Sequence, residues 1–168
     1  MADAHAVLLA SSSKMWIACP PAARLNAAAA DTSSEYAQQG SEAHQLAEFK
    51  VKHSLGDNVQ DPTESLTYFD NEMADCTDSY ALYMTEQIEK AKQHCKDPIV
   101  LIEQRVDFSK WVPGGFGTAD AIIVSDDVLT IIDLKYGLGV LVDAEKNSQM
   151  MCYALGALQL FDGIYDIE

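Results

Sequence analysis

The stretch Gly117-Thr118-Ala119-Asp120-Ala121-Ile122-Ile123-Val124-Ser125-Asp126-Asp127-Val128-Leu129-Thr130-Ile131-Ile132-Asp133-Leu134-Lys135 decides how this chain folds. Thr118 to Val124 and Val128 to Lys135 are rich in β-branched residues and read as two strands. Between them, Ser125-Asp126-Asp127 carries the side chains that favour a tight hairpin turn. A turn centred on Asp126-Asp127 also predicts the register, because Asp120 and Asp133 then stand equally far from it and pair across the hairpin. Asp133 and Lys135 are two positions apart, so on a strand their side chains leave the same face. They stand where the apolar run Val128 to Ile132 gives way to a loop marked by Gly137 and Gly139.

Upstream, Pro98 opens another strand, Ile99 to Phe108, and Gly114-Gly115 and Gly117 separate it from the hairpin. Gly40 and Ser41 begin a helical pattern in which Ala43, Leu46, Ala47 and Val51 form an apolar stripe. A second helix is expected from about Asp78 to His94, with Leu82, Ile88 and Ala91 inward. A third is expected from about Ala144 to Leu160, and Gly163 onward reads as the start of another strand. Residues 1–39 read as irregular. Residues 57–78, acidic and interrupted by Pro62, read as a solvated connection. The order α, α, β, β, β, α, β predicts a single α/β domain whose central, mostly antiparallel sheet is flanked by helices.

Composition bounds what such a domain can do. Its 168 residues, 48% of them apolar, are enough to fill one core. No apolar run approaches the roughly 20 residues that span a bilayer. Ala6 to Ala10 is short and has no Lys or Arg before it, which makes a poor secretory signal. Lys and Arg number 11 against 26 Asp and Glu, a net charge of −15 that lies mostly beyond residue 60. That balance excludes broad electrostatic adhesion to nucleic acid or anionic lipid, and confines any phosphate contact to a local basic surface. Lys14, Arg24, Arg105, Lys110 and Lys146 are the candidates for it, with scattered solubilising charges as the equally open reading. Cys19, Cys76, Cys95 and Cys152 contain no C-x-x-C pair, so they suggest reduced intracellular thiols rather than a zinc ribbon.

Two carboxylates brought together in a partly buried site repel each other unless a cation lies between them. Asp120 and Asp133 would form such a pair, and oxygen ligands with open water positions favour Mg²⁺ or Mn²⁺. Lys135 beside them can orient a water or neutralise charge developing on a phosphate. Gln149 and Tyr153 are four apart on the expected third helix and share a face, as do His44 and Glu48 on the first. His44 offers an imidazole ligand, and Glu48 a carboxylate that binds or braces the cation. Taken singly, each has a plainer reading. Asp133 and Lys135 would be a surface pair worth little, His44 a surface or capping histidine, and Gln149 with Tyr153 rim packing. Their joint order favours a site.

In that order and at these intervals, Gly40…His44…Glu48, Gly117-x-x-Asp120, Asp133-x-Lys135 and Gln149-x-x-x-Tyr153 resemble the PD-(D/E)xK nuclease superfamily, specifically its RecB-type exonuclease branch. Lys135-Tyr136-Gly137, Asn147-Ser148-Gln149 and Tyr153-Ala154-Leu155-Gly156 resemble a phage- and prophage-borne group of exonucleases within it, as does the opening Ser11-Ser12-Ser13, Trp16 and Cys19. The resemblance runs from about residue 7 to the C-terminus. It implies a restriction-endonuclease-like core with a mixed, mostly antiparallel sheet. It also implies that Asp120 and Asp133 hold Mg²⁺ or Mn²⁺, helped by the Leu134 carbonyl and by His44. Lys135 would then position the attacking water, while Gln149 and Tyr153 contact DNA or brace the site. Glu48 would be accessory, with His44 preferred over it.

Two features depart from the pattern. Ala119 precedes Asp120 where the superfamily name has proline. Some relatives carry an iron–sulfur cluster, but here no cysteine follows Cys152, which lies inside the Gln149–Tyr153 helix, so no cluster is expected. Homologous domains continue past Ile164–Glu168, which suggests a fragment or a short form. The implied activity is metal-dependent DNA hydrolysis, most naturally exonucleolytic, in the cytoplasm of a bacterial or phage-infected host cell. A homo-oligomer or a phage recombination or replication partner would accompany it. The main alternative is a catalytically inactive nuclease-fold module that binds DNA or a protein. An acidic mimic of DNA is weaker, since a mimic has no need of Lys135.

Overall fold

Three strands pair antiparallel in the order β1 (Ile99–Asp107), β2 (Phe116–Ser125), β3 (Val128–Ile132). They belong to a computed structural model that describes residues 8–28, 34–137 and 142–167. Ala121 stands opposite Ile132 and Ser125 opposite Val128, so the ladder extended by one pair sets Asp120 across from Asp133, as the turn predicts. Asp126 adopts a left-handed φ of 52°, a conformation that aspartate tolerates in tight turns.

Helices cover both faces of the sheet, which explains why β2 is buried without a break from Ala119 to Ser125. They are α1 (Ser13–Ala18), α2 (Pro20–Ala28), α3 (Glu35–Ser54), α4 (Asn71–His94) and α5 (Ser148–Phe161). On one face, Cys152, Tyr153, Ala157 and Phe161 of α5 pack against Val106, Ala119, Ile122 and Val124. On the other, Val51 of α3 and Met84, Ile88 and Ala91 of α4 pack against Ala121, Ile123 and Ile132. Ala43 and Leu46 meet Met73 where α3 and α4 touch. Side-chain oxygens of Ser34, Asp70 and Asn147 accept from the first free amides of α3, α4 and α5.

One level of the sheet breaks the alternation of side chains. Leu101 faces α5 while Val100 and Ile102 face α3 and α4, yet four residues beyond Ile102, Val106 faces α5. In β2 the same exchange separates Ala119, which faces α5, from Ala121, which does not. The β1–β2 register nevertheless runs one to one from Ile99–Val124 to Asp107–Phe116. Glu103, opposite Asp120 in that register, has a left-handed φ of 52° and drops out of the ladder. This local reversal puts Ile102 and Glu103 on the same side, next to Asp120 and below α3.

Several expectations are corrected. Residues 1–39 are not irregular throughout: a 3₁₀ turn at Ala10–Ser12 leads into α1 and α2. Pro20 begins α2, at the first helical position, where a missing amide costs nothing. Helix α4 starts at Asn71 instead of Asp78 because Asp70 caps it, so the connection read at 57–78 ends earlier. Its inward stripe is Met73, Thr77, Met84, Ile88 and Ala91, and Leu82 is 63% exposed. Helix α5 starts at Ser148, not Ala144, since Asn147 supplies the cap. After Gly163, whose φ is +75°, the described residues form no strand. The α/β core with its mostly antiparallel sheet is as expected: among the described residues the three strands pair antiparallel, and a parallel bridge joins Leu9 to Phe116. Gly139 lies outside the described residues. Among them, no helix is long and apolar enough to cross a membrane.

Candidate metal centre

Two groups of polar side chains meet at the end of β3. The first lies under α3. One ligand atom each from His44, Glu103 and Asp120 falls within 4.8 Å of the others. His44 Nδ1 stands 3.3 Å from Asp120 Oδ1, and the Leu134 amide donates to Asp120 Oδ2 at 2.5 Å. Asp120, only 8% exposed, is thus oriented through both oxygens. The hydrogen bond to Asp120 raises the proton affinity of His44 and, with the nearby carboxylates, outweighs burial. Burial, then the charges of Asp120 and Glu48, pushes the Glu103 carboxyl up to about 7. The Tyr80 hydroxyl is buried without a hydrogen-bond partner among the described residues, and burial raises it well above its ordinary range. These side chains line a cavity of about 10 Å³, bordered also by Glu48. That is room for about one water-sized occupant.

The second group lies toward α5. Lys135 Nζ contacts Asp133 Oδ2 and donates to Gln149 Oε1 at 3.1 Å. Gln149 Nε2 donates to Asp133 Oδ1 and to the Tyr153 hydroxyl, both at 3.0 Å. Burial raises the Asp133 carboxyl and the Asp120 charge adds to it, against the opposing pull of Lys135. Tyr153 is pushed up to about 12 by burial. Gly117 makes room for that ring: a Cβ there would lie 2.9 Å from Tyr153 Cε1 and 3.2 Å from the Ala10 methyl. The Gly117-x-x-Asp120 spacing therefore joins a packing requirement of α5 to the carboxylate facing α3.

Of the residues expected from the sequence, His44 and Asp120 come together, and Asp133, Lys135, Gln149 and Tyr153 form the adjoining network. Asp133 is not in the 4.8 Å group. Leu134 meets Asp120 through its amide. Glu48 borders the cavity but accepts from Lys52 at 2.5 Å along its own helix. Arg105 lies over the Phe116 ring at 3.9 Å, Lys110 over Trp111 at 5.2 Å, and Lys146 stands 3.7 Å from Glu145. Cys152 is buried. Glu103 and Tyr80 were not expected. The signal for Glu103 was a carboxylate in the midst of the strand Ile99-Val100-Leu101-Ile102-Glu103. Tyr80 shares a helical face with Thr77 and Met84.

The His44, Glu103 and Asp120 donors suit a hard or borderline divalent cation. Metal–oxygen bonds of about 2.1 Å separate octahedral ligands by roughly 3 to 4.2 Å, so a modest contraction of the group would close it on Mg²⁺ or Mn²⁺. The group fits.

The fold and this arrangement define an α/β protein with an antiparallel sheet between helices, which gathers a histidine, carboxylates and a lysine at the end of its last strand. The chain belongs to the family described as "Protein of unknown function (DUF2800)", whose model matches residues 5–168. No solved structure matches it.

Proposed function

We propose that this protein is a divalent-metal-dependent deoxyribonuclease, an exonuclease of the PD-(D/E)xK type, that hydrolyses phosphodiester bonds with an activated water. The observation that carries the reading is the convergence of the His44–Asp120 pair and the Asp133–Lys135–Gln149–Tyr153 network at one end of the hairpin. Bound Mg²⁺ or Mn²⁺ would polarise the phosphate and lower the pKa of a water. His44 and the Leu134 amide hold Asp120 in place, so its carboxylate needs little reorganisation to serve as a ligand. Gln149 ties the Asp133 carboxylate to α5 and thereby sets its orientation. Lys135, its side chain 45% exposed, extends from that network toward solvent, where its ammonium can orient a water or offset charge on a scissile phosphate.

Purified protein should degrade linear DNA with Mg²⁺ or Mn²⁺, and Asp133→Ala should abolish the activity. Degradation that survives this substitution would remove the assignment. A second reading, a nuclease-fold module that binds DNA or a protein without cutting, draws on the −15 charge and on the engagement of Lys52, Lys135 and Lys146 by carboxylates. Calorimetry separates the two, since that module has no need to bind Mn²⁺.

A further inference from the structure

We propose that Glu103 is a direct ligand of the cation held by His44 and Asp120, with the Tyr80 hydroxyl donating a hydrogen bond inside the same cavity. This deepens the metal-dependent reading above and rests on it. Three observations bear on it independently. Glu103 reaches His44 and Asp120 within ligand distance because its left-handed backbone, rare for a residue other than glycine in mid-strand, turns its side chain toward α3. In Asp133, by contrast, Lys135 occupies one carboxylate oxygen and Gln149 the other. Asp133 thus faces the α5 network, and Glu103 is the carboxylate that lies with His44 and Asp120 within ligand distance under α3.

The third observation is Tyr80. Buried hydroxyls almost always have a partner, and this one has none among the described residues, although it borders the same small cavity as His44, Glu103 and Asp120. A cation in that one-occupant space would neutralise carboxylates that otherwise repel and draw a ligand carboxylate oxygen within reach of the phenol as its acceptor. Oxygen-rich donors with one imidazole specify the class of ligand: a divalent cation such as Mn²⁺ or Mg²⁺, not a soft thiophilic metal.

The test is Mn²⁺ titration calorimetry on the full 168-residue chain, paired with thermal unfolding with and without Mn²⁺. The variants are Glu103→Gln, Glu103→Asp, Tyr80→Phe and Asp120→Asn. Glu103→Gln should weaken Mn²⁺ binding at least tenfold. It should also raise the melting temperature of the metal-free protein, because a repelling charge is gone, and shrink the rise that Mn²⁺ produces. A purely structural role would move the metal-free melting temperature alone. Glu103→Asp, which keeps the charge but shortens the reach, should also lose affinity, and Tyr80→Phe should lose about threefold. Wild-type affinity in Glu103→Gln, with Asp120→Asn unable to bind, would overturn this inference and leave the nuclease reading standing. Wild-type protein that binds no Mn²⁺ would overturn both.

Discussion

The two sides of the hairpin end differ in how completely their polar groups are satisfied. Toward α5, Asp133, Lys135, Gln149 and Tyr153 form a closed network in which both oxygens of the carboxylate have a donor. Toward α3, His44, Asp120 and the left-handed Glu103 crowd together beside a buried hydroxyl that has no partner among the described residues. Protein interiors tolerate such crowding where a ligand relieves it. Under the proposed function, the α5 side would position the chemistry and the α3 side would hold charge for a cation.

The largest expected effect would sharpen that division. Asp120→Asn should remove Mn²⁺ binding and lower DNA cleavage by more than about 10³-fold, because it deletes a ligand and the anchor of the Leu134 amide. Lys135→Ala should lower cleavage by roughly 10² while Mn²⁺ affinity stays within about threefold, measured by single-turnover assays and calorimetry. Equal loss of both properties in Lys135→Ala would break the division into binding and chemical sides.

Smaller effects concern stability. Gly117→Ala places a methyl 2.9 Å from Tyr153, and should destabilise the fold by about 2 kcal/mol. Thermal unfolding would show this as a drop of roughly 6 °C. Activity should fall with it, as Tyr153 carries the Gln149 network. A melting temperature unchanged in this variant would show that α5 can shift without disturbing the site.

The smallest effect is a pH dependence that originates on the α3 side at Glu103. The Glu103 carboxyl is raised from 4.5 to about 7, and His44 is raised above 6.5. Both groups therefore bind a proton more tightly in the folded than in the unfolded chain. The Glu103 contribution is complete below about pH 4.5 and is lost as pH rises through about 7. For this half-buried group it should amount to on the order of 1 kcal/mol after solvent screening. Metal-free protein should thus lose melting temperature from pH 5 to pH 8, and Glu103→Gln should flatten the slope. Mn²⁺ should reverse its sign, since cation binding favours the ionised carboxylates. A slope that Glu103→Gln leaves intact would place its origin elsewhere.

The predictable parts of the molecule are those with short-range causes. The Asp126-Asp127 turn sets the β2–β3 register over a few residues, so Asp120 across from Asp133 is legible from the sequence, as is the shared face of Asp133 and Lys135. The stripe Ala43, Leu46, Ala47 and Val51 is likewise buried as its period implies. Helices α1 and α2 escaped notice because Pro20-Pro21 reads as a breaker, although proline suits the first turn of a helix. Leu82 faces outward because it lies six residues from Ile88, about 240° around the helix, and so off the face that Met84, Ile88 and Ala91 bury.

The amino-acid sequence alone determined the hairpin, its register and the identity of most polar residues at its end, since turn chemistry and side-chain alternation act between neighbours. Tertiary structure alone decided that Glu103 leaves the β1 ladder, turns toward α3 and shares a cavity with Tyr80 of α4. A left-handed residue in mid-strand is unfavourable by itself. It persists only because two helical layers, from distant parts of the chain, pack against both faces of the sheet around it.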